Sequence, residues 1–271
     1  MAKYNKVIVT FSSTSMKITQ LRNATVIIEY KQVTLLVDPM LAPQGKAPAL
    51  KYLGAKRRKN PLVELPDNSE ELLAKVTHCL ITHCQKGHFD HLDRAAVRWL
   101  RQRQIPVLAA NADEAFLQKR GLHVMPLSSK MSNAFAGGLI ELVPCVHGHG
   151  IVGKLMAHGV GYYIEMPGEP SVYITGDTLL TETIIDFVQA RQPDVIIAPA
   201  GGARFDFGGE IIMGAEDVLE LASIAYGQVI ANHLEALDHC PVSRLQLGEA
   251  ALDADLGERV LIPDDGQTLA F

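Results

Sequence analysis

Thr82-His83-Cys84-Gln85-Lys86-Gly87-His88-Phe89-Asp90-His91 is the stretch on which the reading of this chain turns. It holds three of the ten histidines and an aspartate, and it follows directly on an apolar, strand-like run from Val76 to Ile81. Imidazole nitrogens and a carboxylate crowded at the end of a strand suit a divalent cation such as zinc, manganese or iron. A single histidine in a loop would read as solvated surface. Four ligand-type side chains packed this densely point to a metal instead.

The same residue types recur further along, again where strands end. A strand over 139–143 leads into Pro144-Cys145-Val146-His147-Gly148-His149-Gly150, where glycines on either side allow tight turns that aim an imidazole. Either His147 or His149 could serve, and His147 comes first after the strand. A strand over 171–175 runs into Gly176-Asp177-Thr178, and one over 228–231 into Asn232-His233. Loops gathered at one rim of a strand scaffold are where convergent sites are built.

Around these points the pattern reads as strands first and helices later in each half. Strands are expected over 16–21, 25–30 and 33–37, with a tight hairpin at Tyr30–Val33 and a stop at Asp38-Pro39. Asp38 could be a ligand itself, but reads first as a turn cap or as the outer partner of a ligand. Residues 40–68 are irregular and proline-rich and carry the basic run Lys56-Arg57-Arg58-Lys59, either a solvated face or a means of steering an anion. Helices are expected over 69–75, 94–103 with Asp93 as N-cap, 112–120, 181–192, 215–225 and 242–251. Further strands are expected over 105–109, 123–125, 161–166 and 194–198, and short ones near 259–262 and 267–271. His78, His123 and His158 read as structural. His239 reads as a substrate contact, an outer partner or a packing residue, and Glu235 and Asp238 as outer groups.

Composition bounds the class. At 271 residues, 48% hydrophobic and 20% charged, the chain can bury a sizeable core. A net charge of −5 argues against a general nucleic-acid binder. No apolar run approaches the roughly 20 residues that span a bilayer. Val7-Ile8-Val9 is too short for a signal-peptide core. Cys79, Cys84, Cys145 and Cys240 form no CxxC pair, so the expectation is buried, inert thiols in a reducing cytoplasm. There is no Gly-x-Ser-x-Gly elbow for a serine nucleophile.

In this order, these residues resemble the metallo-β-lactamase superfamily. Its leading motif is His-x-His-x-Asp-His after a strand, followed by single His, Asp and His ligands after later strands. The matches are His88-x-Asp90-His91, His147, Asp177 in Tyr173-Ile174-Thr175-Gly176-Asp177-Thr178, and His233. The opening segments around Met16-Lys17-Ile18-Thr19, Ala24-Thr25-Val26-Ile27 and Leu36-Val37-Asp38-Pro39-Met40 are also similar. The branch most resembled includes ascorbate-6-phosphate lactonases and phospholipase-D-type phosphodiesterases. The resemblance implies an α/β (α+β) fold, a four-layer αββα sandwich, as a single domain over 1–271 with 1–15 as an N-terminal extension. It implies one or two divalent ions, zinc first and manganese or iron as alternatives. His83, His88 and His147 would hold one ion, Asp90, His91 and His233 the other, and Asp177 would bridge. It implies a metal-dependent hydrolase in which Asp90 and Asp177 are catalytic. The substrate would be a small ester, lactone or phosphodiester, with an anionic one favoured, and self-association is left open. Redox or dioxygen chemistry at iron, or a binding protein with a degraded centre, are the alternatives. The chain departs from the family at one place. Four residues separate His83 from His88 where the family has one. Either the extra three form a bulge that carries His83, or Thr82-His83 stays in register and the motif aspartate is lost.

Overall fold

The computed structural model describes residues 16–53, 57–85, 87–156 and 158–271. The expected extension over 1–15 and Lys56 of the basic run lie outside them. In chain order the elements are β1 (Lys17–Arg22), β2 (Thr25–Glu29), β3 (Thr34–Val37), α1 (Ser69–Ala74), β4 (His78–Ile81), α2 (Arg94–Arg103) and β5 (Val107–Ala110). Then come α3 (Glu114–Gln118), β6 (Val124–Leu127), β7 (Asn133–Phe135), β8 (Gly138–Pro144), α4 (Gly150–Leu155), β9 (Val160–Glu165), β10 (Val172–Ile174) and α5 (Glu182–Arg191). The chain closes with β11 (Val195–Pro199), α6 (Ala215–Ile224), β12 (Gln228–Asn232), α7 (Arg244–Asp253), β13 (Val260–Leu261) and β14 (Thr268–Ala270).

The strands make two seven-stranded sheets, ordered β14-β1-β2-β3-β4-β5-β6 and β13-β12-β11-β10-β9-β8-β7. Their side chains sort by the two-residue period of a strand. Leu35 and Val37 of β3 face a core shared with Tyr162, Ile164, Ile174 and Ile197 of the second sheet. Leu36, between them, faces Leu72, Leu73, Ala96 and Leu100 of α1 and α2. On the other side, Tyr173 and Ile196 pack against Ile184, Val218, Leu221 and Leu247 of α5, α6 and α7. Helices therefore cover both outer faces, and the architecture is the expected αββα sandwich. Each such side chain, fully buried, contributes on the order of 1.5–3 kcal/mol of transfer free energy. No helix among the described residues is long and apolar enough to cross a membrane.

Two elements have no counterpart in the sequence reading. β7 pairs with β8 through a turn in which Ala136 and Gly137 both have positive φ. This turn suits the twist of a hairpin, but Ala-Gly does not advertise it as Asn-Gly would. α4 begins on Gly150 and contains Gly153, both poor helix formers. The helix expected over 112–120 is shorter, with a single 3₁₀ turn at Asn111–Asp113 leading into α3.

Topology places the strand ends. β3, β4 and β5 run parallel, and β1 runs the same way because both it and β3 are antiparallel to β2. In the second sheet β10, β11 and β12 are parallel, and β8 shares their direction through antiparallel β9. Segments following β1, β3 and β4 thus emerge at one edge, as do those following β8, β10 and β12.

Candidate metal centre

The residues just past these strand ends converge. His83, His88 and His147 form one buried group, and Asp90, His91, Asp177 and His233 a second. Within each group the potential ligand atoms all lie within 4.8 Å of one another. All seven residues expected from the sequence are brought together. Of the two candidates after β8, His147 is in the cluster, while His149 is exposed and outside it.

Asp177 sits between the groups. Its Oδ2 is 3.1 Å from His91 Nε2, 3.5 Å from His233 Nε2, 3.8 Å from His147 Nε2 and 4.0 Å from His83 Nε2. Asp90 Oδ2 lies 3.4 Å from His233 Nε2 and 3.5 Å from His91 Nε2. Gly176 prepares this approach. It has φ +66, and a Cβ there would stand 2.8 Å from the Val160 carbonyl, so the turn after β10 requires glycine.

The outer nitrogen of each ring has a partner that leaves Nε2 facing inward. His147 Nδ1 is 2.7 Å from the Ile211 carbonyl, His88 Nδ1 2.5 Å from the Gln85 carbonyl, and His83 Nδ1 3.0 Å from Thr82 Oγ1. His233 Nδ1 is 3.5 Å from Cys240 Sγ. His91 Nδ1 is 3.0 Å from Asp38 Oδ2, close enough for an ion pair although not aligned as a hydrogen bond. Asp38 is held by the Thr82 N–H and hydroxyl, which donate to it at 2.8 and 2.7 Å. Outer partners of this kind orient the ligands of metal sites. Asp38, at φ +44, and His233, at φ +57, sit in left-handed backbone that side chains rarely adopt, a strain that clusters at functional sites.

The charges divide in the same way. Burial lowers the pKa of His83 well below its ordinary value, and also that of His147, which favours neutral rings with free lone pairs. Burial would lower His91 and His233 too, but their neighbours together outweigh it, Asp177 first at both, with Asp90 and Asp38 at His91 and Cys240 and Asp90 at His233, and both lie well above the usual value. Burial would raise Asp177 and Asp90. The facing histidines reverse this and hold both carboxylates well below their ordinary range.

The residues fit a divalent metal site. His83 Nε2 and His88 Nε2 are buried with no hydrogen-bond partner, a cost that a cation would relieve. Five imidazoles and two carboxylates exceed the four ligands of a structural zinc site. The long spacing in the leading motif does not split the cluster, since His83 and His88 stand together in one group with Asp90 and His91 beside them.

Other expectations sort out as follows. Asp238 accepts from the Leu50 and Lys51 amides and Asn60 Nδ2, so it anchors the loop before α1. Glu235 accepts from the Arg244 amide and guanidinium, so it holds the start of α7. His239 is buried and stacks on Phe205, with its ring 6.5 Å from that of His233. Arg57, Arg58 and Lys59 are exposed, and Arg57 lies over Tyr52. Cys240 departs from the expected inert thiol. Burial would raise its pKa, yet His239 and His233 bring it down to about 7. Sequence reasoning passed over Asn23, whose carbonyl accepts from the His233 amide, and over Arg22. The fully buried Arg22 guanidinium donates to the Met40, Ala42 and Val63 carbonyls and fastens the long loop. Neither carried a signal, because both meet their partners only across the fold, and the Asn23 side-chain amide also stands 3.4 Å from His233 Nε2.

Comparison with known proteins follows the geometry. A family profile described as a beta-lactamase superfamily domain matches residues 17–232. A UPF0173 protein of Bacillus subtilis (strain 168), YddR, is 30% identical over 259 residues, covering 94% of this chain and 100% of its own. The crystal structure of a possible metal-dependent hydrolase from Veillonella parvula DSM 2008 superposes with a TM-score of 0.86 at 28% identity, covering 95% of this chain and 100% of that one. That of an isothiocyanate hydrolase from Delia radicum gut bacteria superposes with a TM-score of 0.85 at 31% identity, covering 94% and 99%.

Proposed function

The chain belongs to the beta-lactamase superfamily, and from that premise we propose that it is a metal-dependent hydrolase of small substrates with an electrophilic carbon. In this reading His83, His88 and His147 hold one divalent ion, Asp90, His91 and His233 hold a second, and Asp177 serves both. Zinc is the first candidate. Bound divalent cations would supply a water ionised near neutral pH. The chain's own residues do the rest. Asp177 and Asp90 stay ionised in the buried site, and Asp90 is placed to orient the nucleophile and accept its proton. The outer partners keep each Nε2 lone pair turned inward.

The observation that carries the reading is Asp177 Oδ2 lying within 4.0 Å of four imidazole Nε2 atoms from both sheets. A similar protein is an isothiocyanate hydrolase, and the central carbon of an isothiocyanate is open to the same attack by water as a lactone or ester carbonyl. Isothiocyanates therefore join esters and lactones as proposed substrates. Exposed Arg57, Arg58 and Lys59 favour those that carry negative charge.

The test pairs metal analysis with turnover of aryl and alkyl isothiocyanates, lactones, neutral and carboxylate-bearing esters, and a phosphodiester. About two ions per chain and turnover of a carbon electrophile are expected. Protein that binds no metal and turns over none of the panel would end the proposal, and preference for the phosphodiester would move it to phosphoryl transfer.

A further inference from the structure

We infer that Asp113 is a positioning residue for the site formed by His83, His88 and His147, and that it acts through Gln85. The inference rests on the metal-binding reading above and deepens it. Four residues separate His83 from His88, so the intervening loop must be held for His88 to return to its neighbours. Gln85 does the holding at both of its ends. Its carbonyl accepts from the His88 amide at 3.2 Å and faces His88 Nδ1 at 2.5 Å. The Nδ1 proton is thereby fixed outward, and Nε2 is left buried without a partner, facing the centre. A loop carbonyl orients a ring only if the loop itself is fixed. The Gln85 side-chain amide supplies that, donating to Asp113 Oδ1 at 2.7 Å and to the Ala112 carbonyl at 3.3 Å.

Asp113 is a firm anchor. It is fully buried in the 3₁₀ turn that leaves β5, and β5 lies inside the first sheet. Its second oxygen lies 3.1 Å from His158 Nε2, on the segment entering β9 of the other sheet. The two oxygens of a carboxylate can serve both neighbours at once, where an amide would offer one oxygen only. The path runs from β5 to Asp113, to the Gln85 amide, to the Gln85 carbonyl and to His88 Nδ1. His83 and His147 depend on other partners, Thr82 Oγ1 and the Ile211 carbonyl. Loss of the tether therefore falls on His88.

The experiment titrates zinc into the metal-free full chain against a competing chelator, with cobalt(II) absorption as a second readout. It compares wild type, Gln85→Ala, Asp113→Asn and the double variant. Gln85→Ala keeps the backbone carbonyl and removes only the tether. It should weaken one of two ions about 10- to 100-fold, the cost usual for losing an outer partner, and leave the other within about threefold. The cobalt band of that one site should change. The double variant should be no worse than the weaker single variant, because both remove one path. Wild-type affinity for both ions in Gln85→Ala, or losses that simply multiply in the double variant, would overturn the inference. Asp113→Asn also disturbs His158 and the Cys84 thiol, so Gln85→Ala decides if that variant fails to fold. Wild-type protein that binds no metal would defeat the metal reading itself, whereas two ions held equally by wild type and Gln85→Ala would defeat this inference alone.

Discussion

Asp38→Asn isolates what an outer carboxylate does for a buried imidazole. The left-handed backbone at Asp38 tolerates asparagine better than most residues, so the substitution leaves the turn in place. The asparagine carbonyl can still accept from the Thr82 amide, which now donates to Asp38 Oδ1 at 2.8 Å. Its NH₂ then replaces the oxygen 3.0 Å from His91 Nδ1. Two N–H groups cannot face each other there, so the His91 proton moves to Nε2, the atom that points at Asp177 and the centre. An interaction with a charged group, worth roughly 1.5–3 kcal/mol, is lost. That corresponds to about a 10- to 100-fold weaker hold on one ion, in line with the usual cost of losing an outer partner. Thr82→Val removes the hydroxyl that donates to Asp38 at 2.7 Å and that also stands 3.0 Å from His83 Nδ1, so it should weaken the hold on both ions where Asp38→Asn weakens one. Zinc competition on metal-free protein measures both, and added zinc should restore part of the Asp38→Asn turnover. An affinity within threefold of wild type in Asp38→Asn, or a Thr82→Val variant that holds both ions as wild type does, would refute the argument.

Asp177→Asn should abolish hydrolysis and reduce tight metal binding towards one ion, while the metal-free far-UV spectrum stays near wild type. Full turnover would remove Asp177 from its place between the groups. Gly201→Ala would put a Cβ 2.3 Å from the His233 carbonyl and 3.1 Å from Cys240 Sγ. It should cost about 3 kcal/mol or more in urea unfolding and lower metal content, since overpacking here pushes on a ligand residue. The part of metal-free stability that comes from the carboxylate–histidine pairs should be greatest between about pH 4 and 6.5, the ordinary aspartate and histidine values, whereas His83 and His147, lowered in the fold, oppose it as pH falls below about 6.5. His91 and His233 titrate higher in the fold, so their contribution is whole below about 6.5 and lost as pH rises through their folded values. Asp90 and Asp177 titrate lower, so theirs is whole above about 4 and lost as pH falls through theirs. Urea midpoints of wild type and Asp177→Asn across pH check this, and a difference between them that does not change with pH would contradict it.

Much of the fold was legible because the core strands carry a clean two-residue alternation, as in Leu35-Leu36-Val37, and the larger helices carry recognisable caps. The Asp93 side chain accepts from the Ala96 amide, and Thr181 and Ser243 accept in the same way from Ile184 and Gln246. β7 and α4 were hidden because a positive-φ alanine and two helical glycines obey tertiary packing rather than local preference. Of the centre, the seven ligand-type residues could be read from their place just past strand ends. Gln85 and Asp113 could not, since a glutamine amide and a turn aspartate acquire meaning only when a sheet brings them within 2.7 Å.

The chain by itself determined which side chains can bind cations and that each follows a strand, because residue chemistry and strand period are local properties. Only the tertiary structure decided that His147 rather than His149 joins the cluster, and that His83 and His88 share one group across the long spacing. It also decided that Asp177 reaches histidines from both sheets. Those outcomes depend on the direction in which strands run and on which loop atoms meet across the sandwich, distances that no local pattern encodes.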